Sequence, residues 1–261
     1  DDPALGPRRS TFADAPTGEL MPIEAMVEKE PVTVVCSEKG WLRALRGHVE
    51  EGHDVRYKDG DKGRFWLHAQ STDKLVLFAT NGRFYTLSCD KLPGGRGNGE
   101  PVRLLLDLAN DQEIISMMVH DPERKLLVAS SDGRGFVVEE KATVAQTRGG
   151  RQVLNVSGDV EAAVCAPVQG DHLAVVGDNH KLLLFPLTEL PEMNRGRGVV
   201  LQRYRDGGLA DAKTMTLTDG LTWRQAGGRT RTETDLEMWL GKRSQAGRLA
   251  PKGFPKNHKF G

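Results

Sequence analysis

Hydrophobic residues occur along the chain in short runs that are rich in β-branched side chains and separated by tight turn signals. The run Lys74–Ala79 leads into Asn81-Gly82, the run Lys125–Ser130 leads into Asp132-Gly133, and a second apolar run follows each turn. Asn-Gly and Asp-Gly dipeptides tolerate the positive φ angles of two-residue hairpin turns. Stretches of helical periodicity are nearly absent. The pattern therefore predicts an all-β protein built from hairpins.

The hairpin pattern recurs five times. The copies begin at Pro31, Lys74, Lys125, His172 and Lys213. Their turns are expected at residues 40, 82, 133, 180 and 220, so successive turns are 42, 51, 47 and 40 residues apart. Repeats of this length are typical of propellers and solenoids, because one hairpin can bury its apolar face only against its neighbours.

Further strand-like runs lie between the hairpins, at Val102–Leu108, Ile114–Val119 and Val160–Val164. Each copy then holds about four short strands. We therefore predict a propeller-like ring or spiral of about five four-stranded blades over residues 31–250. Residues 1–30, which contain four prolines, are predicted to be a linker, and residues 251–261 are predicted to be a basic C-terminal tail.

The charge of the chain is zero overall but unevenly distributed. Among 36 basic and 36 acidic side chains, residues 1–30 carry a net charge of −4 and residues 241–261 one of +6. A neutral protein still binds a polyanion when one face collects its arginines. No stretch of about 18 apolar residues is present to span a membrane. The start of the chain has neither a signal peptide nor an initiator methionine, so we expect a fragment of a longer cytoplasmic protein.

Sequence motifs for catalysis or metal binding are not found. Residues 94–99 lack the Lys-Ser/Thr of a phosphate-binding loop, and no HExxH, paired-cysteine or GxSxG pattern occurs. Cys36, Cys89 and Cys165 lie far apart in apolar runs and are expected to be buried, reduced thiols. We therefore expect no catalytic residue, no metal site and no cofactor in this chain.

A loop rich in glycine and arginine follows the second strand of most copies. The loops are residues 94–99, 146–151, 194–198 and 241–248, and the first three begin their arginines 14 or 15 residues after the hairpin turn. Glycine lets the backbone approach a phosphate closely, and arginine pairs with phosphate oxygens through a planar fork. One such loop alone would be interpreted as a solvated turn. Because the loops recur at the same distance from successive hairpin turns, they predict a continuous basic surface that binds a bent duplex.

The predicted phosphate contacts are the basic residues of these loops together with two arginines of the first blade. They are Arg96, Arg148, Arg151, Arg195, Arg197, Lys242, Arg243, Arg248, Arg43 and Arg46. Arg203 and Arg205 extend the fourth patch, where Asp206 is available to pair with them.

Three strings resemble the C-terminal domains of bacterial type IIA topoisomerase A subunits, and the topoisomerase IV type more closely than the gyrase type. They are Glu30–Trp41 with Arg46-Gly47-His48, Leu92–Pro101, and Leu182–Pro186 with Leu190-Pro191 and Arg195–Gly198. The resemblance runs from about Pro31 to Arg248. It implies a β-pinwheel, a propeller-like wheel with strand exchange between blades, whose outer rim binds and bends double-stranded DNA.

The resemblance also implies a place in a larger enzyme. The domain would present the transported duplex to a catalytic core for ATP-dependent decatenation and relaxation in the cytoplasm, on the chromosome. Its partners would be an ATPase subunit of the ParE type and the breakage domain of its own polypeptide, whose tail residues 1–30 would represent. ATP and Mg²⁺ would be needed elsewhere in that enzyme. The catalytic tyrosine of the breakage domain has no counterpart here.

One motif separates the two types within the family. Gyrase carries a Gln-Arg-Arg-Gly-Gly-Lys-Gly box, and the nearest string here, residues 146–152, departs from it at Thr147 and Gln152. The weakened box implies bending of DNA without full wrapping. The alternatives are a gyrase-type wrapping domain and a propeller-type scaffold for protein interaction. An independent enzyme would need a convergent pocket of titrating groups, which the sequence does not supply.

Overall fold

Strands make up nearly all of the regular structure of the chain. The computed structural model describes residues 28–52 and 55–261. The strands are β1 (Pro31–Ser37), β2 (Trp41–Arg46), β3 (Gly63–Gln70), β4 (Lys74–Ala79), β5 (Arg83–Ser88), β6 (Glu100–Pro101), β7 (Ile114–Val119), β8 (Lys125–Ser130), β9 (Arg134–Glu139), β10 (Arg151–Gln152), β11 (Ala162–Pro167), β12 (His172–Gly177), β13 (Lys181–Pro186), β14 (Val199–Val200), β15 (Leu209–Met215), β16 (Leu221–Arg224), β17 (Thr230–Glu233) and β18 (Arg248–Leu249). One helical turn, α1 (Val102–Leu105), and short 3₁₀ turns occur between them.

In the described residues the strands form four antiparallel sheets of four strands and one sheet of two. The sheet orders are β3-β1-β2-β6, β10-β5-β4-β7, β11-β8-β9-β14, β15-β12-β13-β18 and β16-β17. The first four sheets are built alike, around the hairpins β1–β2, β4–β5, β8–β9 and β12–β13. The predicted all-β, propeller-like class is therefore confirmed.

Each complete sheet receives its fourth strand from the part of the chain that follows the next hairpin. β6 comes after the second hairpin but pairs with β2 of the first sheet, and β10 comes after the third hairpin but pairs with β5 of the second. β14 and β18 repeat this relation with β9 and β13. This strand exchange ties every sheet to its successor through main-chain hydrogen bonds.

The edge of each sheet opposite the exchanged strand faces the centre of the assembly. There β3 contacts β7, β7 contacts β11, and β11 contacts β15. The exchanged strands β6, β10, β14 and β18 therefore lie at the outer edges of the four sheets, and we call the surface that they form with their preceding loops the rim.

Apolar side chains fill the space between successive sheets. Buried clusters join Leu42 to Leu77, Phe84 to Phe136, Leu127 to Leu183, and Leu184 to Trp223. Because a sheet in this stack is covered on both faces, β4, β8 and β12 are buried along almost their whole length. The continuous apolar runs of the sequence are explained by this double burial.

The fifth copy differs from the prediction. The run that was predicted to be its first strand is part of β15, which pairs with β12 as the inner strand of the fourth sheet. Gly220, predicted to be its hairpin turn, lies directly before β16 instead. The fifth hairpin is β16–β17, with Leu221 opposite Glu233. Residues 213–217 have a sequence pattern that fits both the first strand of a fifth hairpin and the inner strand of the fourth sheet. They adopt the second role because they pair with the longer fourth hairpin.

The predicted strand Val102–Leu108 is also wrong. Val102 and Leu106 are both buried, and Val102–Leu105 forms a helical turn that Leu106 closes by donating its N–H to the Val102 carbonyl. Apolar residues four positions apart share one face of a helical turn, which places both of these in the core. No helix in the described part of the chain is long and apolar enough to cross a bilayer.

The two ends of the predicted domain have different outcomes. The predicted linker, residues 1–30, lies outside the described residues except for 28–30, where the Glu30 N–H donates to Ser71 Oγ at 2.9 Å. Residues 251–261, predicted to be a tail, pack against the fifth sheet. Phe254 and Phe260 are buried beside Trp223, and Arg224 donates its N–H to the Phe260 carbonyl. The predicted boundary at residue 250 therefore falls inside packed structure.

Candidate nucleic-acid interface

Each glycine- and arginine-rich loop has a glycine as its last or next-to-last residue, and this glycine touches the hairpin of the sheet to which the loop adds its strand. These closing glycines, Gly99, Gly150, Gly198 and Gly247, have φ between +72° and +80°. A β-carbon at Gly150 would lie 2.7 Å from the Phe84 oxygen, and one at Gly247 would lie 2.5 Å from the Leu182 oxygen. The other two have the same relation to Leu42 and Gly135. Glycine is required here for φ and for space, independently of DNA.

The hairpin turns complete the same junction. The carbonyls of Gly40, Gly82, Gly133 and His180 accept the N–H groups of Val102, Val153, Leu201 and Ala250, respectively. Each of these donors directly follows an exchanged strand, so the turn carbonyl fixes where that strand ends. The four loops are thus held at equivalent places on the rim, as the predicted recurrence requires.

Arginines of the hairpins donate hydrogen bonds to main-chain carbonyls of the rim loops. Arg43, predicted as a phosphate contact, is buried, and its guanidinium donates to the carbonyls of Gly97 and Arg56. Arg83 donates to the Gly149 carbonyl at 3.1 Å, and Arg134 reaches the Gly198 carbonyl at 3.5 Å. We therefore assign Arg43 to loop positioning. Arg83 and Arg134 were missed because a hairpin sequence does not reveal its loop partner, although both directly follow a turn glycine.

Five of the predicted side chains are exposed and have no side-chain hydrogen bond to the described residues. They are Arg46, Arg96, Arg151, Lys242 and Arg248. Arg151 and Arg248 directly follow closing glycines, at the same position of β10 and β18. Arg46 ends β2, two residues beyond Ala44, which is bridged to Gly94 of the first loop. These five cations line the rim.

Three further predicted arginines are exposed but already have neighbours. Arg148 donates to the Leu104 carbonyl at 2.5 Å and lies 3.8 Å from Asp107. Arg195 contacts Asn155 at 3.3 Å, and Arg197 lies 3.5 Å from Asp132. The side chains of Arg148 and Arg197 are 62% and 61% exposed. Exposed ion pairs of this kind are weak, so a phosphate oxygen competes with them readily.

Arg243 has a mixed role. It is half-buried, its guanidinium donates to the Val200 carbonyl at 2.8 Å, and its own N–H donates to Glu189 at 2.6 Å. Arg243 thereby joins the fourth loop to the exchanged strand of the third sheet. The neighbouring Arg203 and Arg205 are exposed.

Tyr204 packs beneath the rim between the third and fourth sheets. Its ring lies against Gly133 and Gly177, where a β-carbon at either position would clash with it. Burial raises the pKa of the Tyr204 hydroxyl, and the carboxylates of Asp178 and Asp132 raise it further. The hydroxyl therefore stays protonated, and Tyr204 serves as a spacer between blades.

Similarity to known proteins was found for both sequence and structure. Residues 73–121, 124–164 and 171–209 match the family described as "DNA gyrase C-terminal domain, beta-propeller". The chain is 46% identical to the A subunit of DNA topoisomerase 4 from Caulobacter vibrioides, in an alignment that covers 97% of the chain. It is 41% identical to the A subunit of DNA topoisomerase 4 from Rickettsia bellii, in an alignment that covers 98% of the chain. The chain spans about a third of the length of these relatives, 33% and 35%.

A solved structure of an E. coli domain is also similar. The ParC C-terminal domain of E. coli superposes with a TM-score of 0.76 and 26% identity, over 87% of this chain and 96% of that one. The agreement therefore extends over nearly the whole of that domain.

Proposed function

Since the chain belongs to the family of C-terminal β-propeller domains of bacterial gyrase and topoisomerase IV A subunits, we propose that it is the DNA-binding and DNA-bending domain of a topoisomerase IV A subunit. In the whole enzyme it presents the transported duplex to the catalytic core for ATP-dependent decatenation and relaxation. Its partners there are an ATPase subunit of the ParE type and the breakage domain of its own polypeptide. Decatenation and relaxation take place in the cytoplasm, on the chromosome.

The observation that carries the proposal is the repeated rim junction. Four loops with exposed guanidinium or ammonium groups occupy equivalent places on the outer edges of four successive sheets. The inner strands of successive sheets contact one another while the exchanged strands lie at the outer edges, as in a propeller, so we expect the cations to follow a curve rather than a line. A duplex bound to them through its phosphates must bend, and the protein reads its backbone and not its sequence.

The second loop supports bending over full wrapping. Gln152, which stands where the gyrase box closes with glycine, is turned inward, and its Nε2 donates to the Asn81 and Leu154 carbonyls at 3.1 and 2.6 Å. Thr147 adds no cation. Arg148 and Arg151 remain exposed, so the loop still contacts phosphates but over a shorter arc. Bending 20–30 bp by 40–90° costs on the order of 1–6 kcal/mol, so the loss of one charged contact bears on whether a wrap closes.

Ligation of nicked circles in the presence of the chain tests this function. A bending domain constrains little writhe, so the linking number should shift only slightly per bound chain, while retardation of the same circles in a gel reports binding. A large positive shift would contradict the topoisomerase IV assignment and favour a gyrase-type wrapping domain. Absence of retardation at low salt would contradict DNA binding and favour a protein-interaction scaffold.

A further inference from the structure

Large apolar side chains are exposed in few places on the described surface, and all of these places adjoin the rim. Leu104, Met238, Leu240 and Leu249 are 63%, 57%, 41% and 66% exposed. Single exposed leucines are normal on protein surfaces and need no explanation. What requires one here is that the four lie beside rim loops, near exposed cations, at two separate places on the rim.

Leu104 lies between the first and second rim loops. It belongs to α1, which directly follows the exchanged strand β6, and its carbonyl accepts the Arg148 guanidinium at 2.5 Å. Its side chain gains no burial from this position. A leucine is thus presented to solvent directly beside a cation predicted to contact a phosphate.

Leu249 also lies beside a rim cation, on the fourth sheet. It is the second residue of β18, next to Arg248, and its carbonyl accepts the Trp239 indole N–H at 2.8 Å. Met238 and Leu240 flank that tryptophan, and Leu240 leads into the loop that carries Lys242. Leu104 and Leu249 therefore each lie beside an exposed arginine, Arg148 and Arg248, which suits a polyanion, whereas the exposed Asp235 and Glu237 precede Met238.

We propose that Leu104 and Leu249 are apolar wedges that insert between base steps of the bound duplex from its minor groove. This inference rests on the proposed DNA-binding function and adds how the bend is made. Leu, Met and Phe side chains act in this way in other architectural DNA-binding proteins, where they unstack a step and kink the helix by about 20–90°. Flanking cations hold the phosphates on either side, so that binding and kinking occur at the same place.

The wedges predict a sequence preference that phosphate contacts alone do not produce. Pyrimidine–purine steps such as TA unstack easily, whereas A-tracts are stiff. A chain that only follows the backbone binds both with similar affinity. A chain that inserts leucines binds better, and bends more, where a flexible step lies under each leucine.

The test compares wild-type chain with the Leu104→Ala/Leu249→Ala double variant on two duplexes of about 30 bp. One duplex carries central TA steps and the other an A-tract, and fluorophores at the two ends report bending by energy transfer. Wild type should bind the TA duplex more tightly and reduce the distance between its two ends. The double alanine variant should lose the preference in affinity and most of the reduction in end-to-end distance. Because the phosphate contacts remain, the salt dependence of binding should stay as in wild type.

Two further variants separate the wedge from other effects. Leu104→Met/Leu249→Met keeps large apolar side chains and should retain the kink, whereas Arg248→Ala should lower the salt dependence but keep the TA preference. Thermal unfolding followed by circular dichroism confirms that each variant folds. Equal bending by wild type and the alanine variant overturns the inference and leaves the proposed function standing. Loss of attachment to the breakage domain without loss of bending also overturns it, in favour of a protein contact. A wild-type chain that binds neither duplex overturns the proposed function itself.

Discussion

Gly150 lies directly over the main-chain carbonyl of Phe84, at a distance that leaves room for a hydrogen but not for a methyl group. The same contact recurs between Gly247 and Leu182. Each pair joins a rim loop to the hairpin of another repeat, so the position of the cations depends on a steric relation inside the protein. The glycines of these loops are therefore structural first, and they serve DNA binding through the placement of their neighbours.

Three alanine variants of the first loop separate the two reasons for which glycine is required, positive φ and lack of space for a β-carbon. Gly94→Ala adds a methyl group in open space at ordinary φ and should leave stability unchanged. Gly97→Ala meets no neighbour but has φ of +75°, and should cost about 1 kcal/mol. Gly99→Ala has φ of +80° and also clashes with the Leu42 carbonyl, so it should cost about 2–4 kcal/mol. Urea unfolding measures all three, and equal stability of the second and third variants would contradict the steric account.

The hairpins could be predicted from sequence because Asn81-Gly82 and Asp132-Gly133 specify their turns locally. Strand exchange could not be predicted, because β6, β10, β14 and β18 have two residues each and show no alternation of apolar and polar positions. Their pairing is also non-local, since Glu100 pairs with Leu42 across a complete intervening hairpin.

The rim could be located from sequence, but the role of each arginine could not. Arg43 and Arg96 are both arginines near apolar or glycine-rich sequence, yet one is buried against two carbonyls and the other is exposed. The difference arises because the Gly97 and Arg56 carbonyls accept hydrogen bonds from the Arg43 guanidinium, whereas Arg96 projects from the first loop into solvent. A single sequence does not reveal which loop covers a given strand.

The C-terminal segment should contribute to stability as part of the fifth blade. Phe254 is 5% exposed, with its ring centroid 5.4 Å from that of Trp223. Phe254→Ala should lower the free energy of unfolding by about 3–5 kcal/mol, as for other buried phenylalanines. The exposed Lys256→Ala is the matched control and should change it by less than about 0.5 kcal/mol. Equal stability of the two variants in urea would indicate a loose tail instead.

Cys36 and Cys89 are buried, as expected, and should be unreactive in the folded chain, whereas Cys165 is half-buried. Burial raises the pKa of the Cys36 and Cys89 thiols to about 12, so almost no thiolate is present near neutral pH. Titration with a chromogenic disulfide reagent should label these two slowly in buffer and rapidly in denaturant. Rapid labelling of the native chain at Cys36 would contradict the packing between the first two sheets.

The turn of the fourth hairpin should make stability depend on pH. Burial lowers the pKa of His180 below its ordinary value of 6.5, and the positive charge of His258 lowers it further. The unfolded chain then binds this proton more readily, so stability should fall as pH decreases from about 7 through 6.5. Asparagine tolerates the φ of +61° at this turn, so His180→Asn should keep the fold and flatten that part of the dependence. An identical slope in both proteins would contradict the assignment.

The salt dependence of DNA affinity tests the central claim most directly, because it counts the phosphates that the rim neutralises. The logarithm of the binding constant should fall linearly with that of the salt concentration, by about 0.9 per phosphate contact. The Arg195→Ala/Arg197→Ala variant should fold normally and show a slope smaller by roughly one to two units, with no change in sequence preference. Lys29→Ala, which removes an exposed cation that belongs to none of the rim loops, is the control and should keep the wild-type slope. An unchanged slope in the double arginine variant would contradict the account.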